Sequence, residues 1–426
     1  LKNVLIVSPH FPPVDLPDMH RVRVSLPHFA EFGWNAKVLT VAPEFVEGSK
    51  EARFVERLPG DAAVVRTGAL PLQWTRWAGL GNLGLRAFPF LYSAGNRLLA
   101  KGGVDLVYFS TTVFTSIPLG RMWKRRYGVP FVVDMQDPWV NDYYEQHPDV
   151  ARPPKHGFAS RLHRVLEPWS MPDADGLIAV SPAYLTTLAT RYPVLRQRPG
   201  LVLPFGAAPQ DFEGLSRERR ANRFFDPADG MIHTVYVGRG GQDMWTALRL
   251  IFKALRTGLR QSPERFRRIR LHFIGTDYAP EGKSRKTIEP LAESMGVGEQ
   301  VREYPQRVPY FEALQTLRDA HMLLVPGSDD PQYTPSKLYP YVLAGRPLLA
   351  VVHQESGACD VLRSTNGGTV STFTDGAARL YEVWRETLGS LAVTPATDWQ
   401  AFERFTAREM TRRQCEFFDL VTGVRR

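Results

Sequence analysis

The sequence predicts two successive doubly wound α/β domains followed by a terminal helix. Three observations predict this. Short, continuous apolar runs rich in Val, Ile and Leu recur, each bounded by Gly, Pro or Asp, as in strands buried on both faces of a parallel sheet. Longer amphipathic stretches separate them, as βαβ units require. The pattern restarts in the second half, and 426 residues suffice for two or three ordinary domains.

In the first half the strand candidates are Val4–Val7, Ala36–Val41, Val104–Phe109, Pro130–Val133, Gly176–Val180 and Leu201–Leu203. Glu213–Asp229, with Arg217, Glu218, Arg219, Arg220 and Arg223, has little to bury and reads as an interdomain connection. The second set of strand candidates is Thr234–Val237, Arg270–Ile274, Met322–Val325 and Pro347–Val352. Between them Tyr310, Leu314, Leu317 and His321 fall at helical spacing. In the tail Trp399, Phe402, Met410, Phe417 and Leu420 make an apolar helical stripe, either a cap on the second domain or a strut returning to the first. The expected division is 1–208, 209–398 and 399–426.

Composition bounds the function. Hydrophobic residues are 43% and charged residues 23%, which excludes a disordered chain, a collagen and a disulfide miniprotein. Lys plus Arg (53) exceeds Asp plus Glu (44), for a net charge of +9. That suits a polyanionic ligand, an anionic membrane or a nucleic acid without choosing among them. The arginines at 256, 260, 265, 267, 268 and 270 lack any accompanying nucleic-acid motif and read as a solvated surface, so no nucleic-acid partner is expected. Cys359 and Cys415 lie far apart without metal-ligand spacing, which argues for a reducing compartment and against zinc. No apolar run reaches a membrane span, and the chain opens on Val4–Val7 with no signal peptide before it, so a cytoplasmic location is expected.

Ligands of open α/β sheets bind beyond the carboxyl ends of the strands. After the first run comes the stiff loop Ser8–Pro13 with His10, then Asp18, His20, Arg21 and Arg23 where a helix begins. An arginine there opposes the helix dipole unless an anion is present. It marks an anion-binding corner or a plain surface arginine beside a packed histidine. After Val133 come Asp134, Gln136 and Asp137, then Pro138-Trp139. The two carboxylates suit hydroxyl binding or a general base, although Asp134 reads equally as a turn cap. Gly238-Arg239-Gly240-Gly241 precedes a helix, a phosphate turn or an ordinary one, and matches neither the Walker nor the dinucleotide motif. In Pro335-Ser336-Lys337 the lysine falls in a helix's first turn, where a diphosphate would relieve its opposition to the dipole. No acid lies between Asp61 and Asp105, and Leu70–Lys101 holds Trp74, Trp77, Phe88, Phe90, Arg76 and Arg86. Such a segment suits an anionic membrane surface, or else a helical insertion packed on the first domain.

Together these residues resemble the nucleotide-sugar glycosyltransferases of family 4, along nearly the whole chain. Ser8–Pro13, Phe32-Gly33-Trp34 before Lys37–Thr40, and Asp134–Trp139 look like its first-domain landmarks. The last is similar to the Asp-x-Arg-Asp-Pro-Trp signature of members that build bacterial surface polysaccharides, with Gln136 in place of Arg. Gly238–Gly241 resembles the donor-phosphate turn, and Pro335–Tyr339 the Pro-Ser-Lys segment. The sequence departs at the Glu-x7-Glu motif, whose positions hold Gln332 and Pro340, and no donor-side lysine follows the glycine turn.

The resemblance implies the GT-B architecture: two Rossmann-like domains facing a cleft, with the terminal helix crossing back to the first. It implies transfer of a sugar, with retention, from a nucleoside-diphosphate sugar to a glycan or lipid-linked acceptor, with no cofactor and no obligatory metal. Arg239, Gly240, Gly241, Ser336 and Lys337 would hold the donor. Arg21 would face the acceptor, and His10, Asp134 and Asp137 would be the catalytic groups. The location would be cytoplasmic, peripheral on the inner face of the membrane. The missing glutamates keep open a non-catalytic nucleotide- or glycan-binding protein on the same fold. A nucleotide-sugar epimerase of similar architecture is the other alternative.

Overall fold

The computed structural model describes residues 1–75, 81–140, 156–216, 221–277, 279, 283–330 and 338–423. They form two parallel sheets. The first has seven strands: β1 (Lys2–Val7), β2 (Trp34–Val41), β3 (Ala63–Thr67), β4 (Leu106–Ser110), β5 (Phe131–Met135), β6 (Gly176–Ala179) and β7 (Gly200–Val202). Their order is β3-β2-β1-β4-β5-β6-β7, so the winding reverses between β1 and β4. Register pairs Val4 with Leu106 and Val7 with Phe109, and Ser110 with Asp134 on β5. The continuous apolar runs are explained by this burial: every residue of β4 and β5 is buried.

The second sheet comprises β8 (Ile232–Val237), β9 (Ile269–Ile274), β10 (Val301–Tyr304), β11 (Met322–Pro326), β12 (Leu348–Val352) and β13 (Thr369–Thr372), in the order β10-β9-β8-β11-β12-β13. Its reversal lies between β8 and β11. Helix Trp245–Gln261 buries Ile251, Phe252 and Leu255 and packs against helix Gly376–Gly389. Its charged residues Arg249, Lys253, Arg256 and Arg260 stay on the exposed side.

The chain divides into two compact units, 1–206 with 407–426 and 207–406. Two segments differ from their expected character. The connection at 213–229 is part of the second unit, because Phe224 and Phe225 bury their rings there and Phe225 stacks on His233 at 4.4 Å. The tail is not one helix. Trp399–Phe402 and Glu403–Phe405 belong to the second unit, where Phe402 and Phe405 meet the Tyr339 ring at 6.2 and 5.3 Å. Trp399 and Leu420, expected in the apolar stripe, are exposed.

Helix Ala407–Val421 belongs to the first unit. Phe418 lies 6.3 Å from Phe29, 5.4 Å from Trp34 and 5.1 Å from Tyr108, ring centre to ring centre. Asp419 accepts from Lys2 Nζ at 2.7 Å and Trp34 Nε1 at 3.0 Å. Arg413 Nη2 donates to the Val202 carbonyl at 3.0 Å.

The segment Leu70–Lys101 is largely a packed helix, Leu83–Leu99, capped by Asn82, whose side chain accepts from the Gly84 and Leu85 amides. Arg86, expected on a membrane-facing surface, is buried and donates to the carbonyls of Leu70 (2.8 Å) and Phe45 (3.0 Å). The acid-free stretch of sequence is not acid-free in space: Glu44 and Glu47 line the same recess of about 500 Å³ as Pro71, Leu72, Gln73 and Arg86. Leu70, Trp74 and Phe90 remain exposed. Arg76 and Trp77 lie outside the described residues. A Cβ on Gly95 would fall 2.1 Å from a ring atom of buried Trp123. Gly95→Ala is therefore expected to lower stability by about 1–3 kcal/mol through overpacking. Thermal unfolding checks this, and an unchanged midpoint would mean the helix is not seated on Trp123.

Candidate functional site

In the first unit, chemistry gathers at the winding reversal. Ser8 Oγ donates to the His10 carbonyl at 2.7 Å and shapes the loop after β1. His10 Nδ1 lies 2.9 and 3.0 Å from the two carboxylate oxygens of Asp18. Asp18 is buried, and its Oδ2 also accepts from Thr111 Oγ1 (3.2 Å), Thr112 N (3.1 Å) and Thr112 Oγ1 (3.2 Å), just beyond β4. Burial opposes ionisation of Asp18, but the hydrogen bond and charge of His10 and the bonds from Thr112 and Thr111 outweigh it. They hold the carboxyl below its ordinary value.

Beneath this pair lies a second cluster. Asp134 is fully buried, and its Oδ2 accepts from Tyr108 Oη (3.0 Å), Ser110 Oγ (3.0 Å) and Gln136 Nε2 (3.1 Å). Arg21 is buried beside it, with Nε 2.6 Å from Asp134 Oδ2, a close charge contact rather than a well-directed hydrogen bond. Its Nη1 and Nη2 donate to the carbonyls of Pro204 (3.1 Å) and Leu203 (2.7 Å). Burial first, and the Asp134 charge second, push the Tyr108 phenol well above its ordinary value. Gln136 also donates to Ser110 Oγ at 2.9 Å and to the Asp18 carbonyl at 3.4 Å, tying the two clusters together. Where the signature has an arginine, the cation beside Asp134 is Arg21.

These contacts alter two expected roles. Arg21 does not present its guanidinium for an acceptor, because all three nitrogens face groups of its own unit. Asp134 does not reach a substrate, because its carboxylate is enclosed. Asp137 differs: its surface is exposed, and surrounding protein and then the Asp18 charge push its carboxyl up. Trp139 and Val140, just beyond it, are held in place. Trp139 is buried and stacks on Phe114 at 5.7 Å, and the Val140 amide donates to buried Glu167 at 2.8 Å.

In the second unit the glycine turn follows β8. The amides of Gly238 and Gly240 donate to the carbonyls of Ile274 and Thr276, both at 2.8 Å. The Gly240 amide, expected to meet a phosphate, thus has a partner in its own unit. Arg239 pairs with Asp243 through two bonds of 2.8 and 2.6 Å. Burial works against the charge on Asp243, but Arg239 and Ser328 overcome it and lower its pKa. A Cβ on Gly241 would lie 2.2 Å from Asp243 Oδ1 and 2.4 Å from Arg239 Nη1. One on Gly240 would lie 2.9 Å from Ile288 Cδ1. A side chain at either position would have to displace these side-chain ends. Ser336, Lys337 and Gln332 lie outside the described residues, and Pro340 is within helix Leu338–Leu343.

Two positioning residues carry no motif. Glu303 is buried on edge strand β10. It accepts from Thr276 Oγ1 (2.6 Å) and from the amides of Thr287, Ile288 and Glu289 (2.9, 2.8 and 2.9 Å). It thereby fixes the Thr276 loop against which the glycine turn rests. Tyr341 Oη accepts from the Val237 amide at 2.7 Å and lies 3.0 Å from its carbonyl, which it bonds as donor. The exposed carboxylates beyond β11 are Asp329 and Asp330. Among the described residues no group of three His, Cys, Asp or Glu could hold a metal ion, and no helix is long and apolar enough to cross a membrane.

Two parallel doubly wound sheets with ligand-type loops at both reversals define a GT-B glycosyltransferase fold. Residues 21–206 match the family model of the glycosyl transferase 4-like domain. Solved structures are similar over nearly the whole chain. HepE from Anabaena, in complex with UDP, is 15% identical with a TM-score of 0.56, covering 98% of this chain and 99% of that one. A UDP-forming α,α-trehalose-phosphate synthase from Burkholderia xenovorans is 14% identical with a TM-score of 0.59, covering 99% of both chains. At these identities the likeness carries the fold alone. No curated protein matches the sequence.

Proposed function

We propose that the protein transfers a sugar from a nucleoside-diphosphate sugar to a hydroxyl of a glycan or lipid-linked acceptor, with retention, without a cofactor and without a metal requirement. The observation that carries this reading is the polar loop cluster at each sheet's reversal. His10 and Asp137 lie at the first, and at the second is a glycine turn that Arg239, Asp243 and Ile288 crowd. Arg239, Gly240, Gly241, Ser336 and Lys337 would hold the diphosphate, with Arg239 exchanging Asp243 for phosphate oxygens. His10 and Asp137 would meet the acceptor. Arg21 and Asp134 would hold the loops that carry them. The HepE structures contain UDP, UDP with glucose, or UDP-glucose, so uridine nucleotides are the first donors to try.

Titration with UDP, GDP and their sugars, followed by assay of sugar transfer, tests the reading. Lys337→Ala is expected to weaken the nucleotide that binds by about 1.5–3 kcal/mol, the worth of a charge-assisted contact. Unchanged affinity would end the diphosphate role of that segment. The non-catalytic alternative is favoured by one observation, the absence of carboxylates at 332 and 340. Donor hydrolysis without acceptor separates it from the enzyme, and conversion of the donor to its epimer would mark the epimerase. We also propose that the segment Leu70–Lys101 touches an anionic membrane through exposed Leu70, Trp74, Phe90, Arg97 and Lys101, placing the protein peripherally. Co-sedimentation with anionic vesicles that is lost at high salt is the expected result. Indifference to such vesicles would remove the membrane role.

A further inference from the structure

Asp18 stands at the N-cap position of helix Met19–Ser25, yet its side chain makes no capping bond. The carboxylate turns away, across the winding reversal, to His10 on one side and to Thr111 and Thr112 on the other. An ionised carboxylate only accepts hydrogen bonds, so a neutral His10 ring beside it carries its hydrogen on Nδ1 and a lone pair on Nε2. No described residue bonds Nε2, and 15% of the His10 side chain is exposed. The ring is thus held by a buried, three-fold anchored carboxylate, with its free nitrogen at the strand ends where ligands of such sheets bind.

From this geometry we infer that Asp18 is a positioning residue that fixes His10 as the proton acceptor for the incoming hydroxyl. The inference rests on the proposed sugar transfer. In that step the bond between the anomeric carbon and the diphosphate oxygen breaks, and its electron pair leaves with the diphosphate. The acceptor oxygen forms the new bond to the anomeric carbon on the face that the diphosphate leaves, as retention requires, and gives its proton to His10 Nε2. The resulting imidazolium is stabilised by the Asp18 carboxylate through Nδ1–H. The bland alternative is that Asp18 only staples the loop after β1 to the loop after β4. The orientation of Nε2, which no described residue bonds, speaks against it.

Two measurements decide. Nitrogen-15 NMR of the wild type reads the His10 tautomer without any assay. A ring protonated on Nδ1 is expected, and one protonated on Nε2 overturns the inference. Asp18→Asn is then compared with wild type in transfer. The expected result is a fall in kcat of about a hundredfold or more, the range of general-base effects, with nucleotide affinity unchanged and Asp18→Glu restoring part of the rate. Loss of nucleotide affinity together with kcat, or a kcat that survives in the folded variant, assigns Asp18 to the staple and overturns the inference. Thr112→Val, which removes one anchor, is expected to give a smaller fall in kcat should Asp18→Asn fail to fold. A Thr112→Val rate equal to wild type then counts against the inference. Wild type that transfers no sugar to any acceptor while showing the Nδ1–H tautomer overturns the proposed function and not the dyad's geometry.

Discussion

Arg21→Met is expected to destabilise the first unit by about 3–5 kcal/mol, the cost of leaving one partner of a buried ion pair uncompensated. Asp134 has no exposed surface, and Arg21 provides the cation at 2.6 Å. Tyr108, Ser110 and Gln136 still donate to the carboxylate in the variant, but none of them brings charge. The Leu203 and Pro204 carbonyls lose their guanidinium donors as well. The stretch they occupy is the last of the first unit before the chain enters the second. Adding Asp134→Asn to Arg21→Met should recover part of the loss, because an amide needs no counter-charge. Chemical denaturation of the full chain, followed by tryptophan fluorescence, reads both. A single variant as stable as wild type would show that the neutral donors suffice.

That pair also shows where sequence reasoning stopped. An arginine one turn into a helix reads as a surface residue or as a ligand for an outside anion. Here the anion is internal, supplied by a residue 113 positions away in sequence (134 − 21). Helix Met19–Ser25 buries Arg21 and Arg23 along with Met19, Val22, Val24 and Ser25, so no polar face marks its outside. Asp18 was legible only as a helix start, since its link to Thr111 and Thr112 exists only once β1 and β4 lie side by side.

The strands follow the same logic. Interior strands were legible as continuous apolar runs. Those that escaped are β3, β10 and β13, all at sheet edges. In β10 and β13 the less complete cover of an edge lets polar residues interrupt the apolar run, as in Val301-Arg302-Glu303-Tyr304 and Thr369-Val370-Ser371-Thr372. Glu303 was hidden for that reason: in an edge strand its carboxylate reads as solvated, whereas it is buried and receives three backbone amides. The glycine turn was legible as a turn. That Ile288, Asp243 and Arg239 crowd Gly240 and Gly241 depends on contacts no spacing encodes.

The second large effect is a loss of stability in acid that traces to His272. This ring, on β9, is buried between Phe225 at 4.9 Å and Tyr304 at 6.2 Å, centre to centre. Its Nε2 lies 2.9 Å from His233 Nδ1. His233 Nε2 faces two acceptors, Asp229 Oδ1 at 3.0 Å and the Asp226 carbonyl at 3.1 Å, and so carries a hydrogen. In neutral His233, Nδ1 therefore accepts, and His272 Nε2 donates. That leaves His272 Nδ1 buried without a described partner, so a second proton on this ring has no acceptor. Burial first, then the charges of His233, Arg302 and Arg270, push His272 down from 6.5 to about 3. Between those values the unfolded chain binds a proton that the folded one refuses, so stability rises with pH across the window. The contribution is complete above pH 6.5 and is lost as the pH falls toward 3, at roughly 1 to 1.5 kcal/mol per pH unit. Carboxylates also titrate in the lower half of this window, so the readout is a comparison. His272→Phe keeps the ring contacts and removes the titration. Its unfolding free energy should fall less steeply from pH 6.5 to pH 4 than that of wild type, by the slope of one proton. Parallel curves for the two proteins would show that His272 takes up its proton in the folded state.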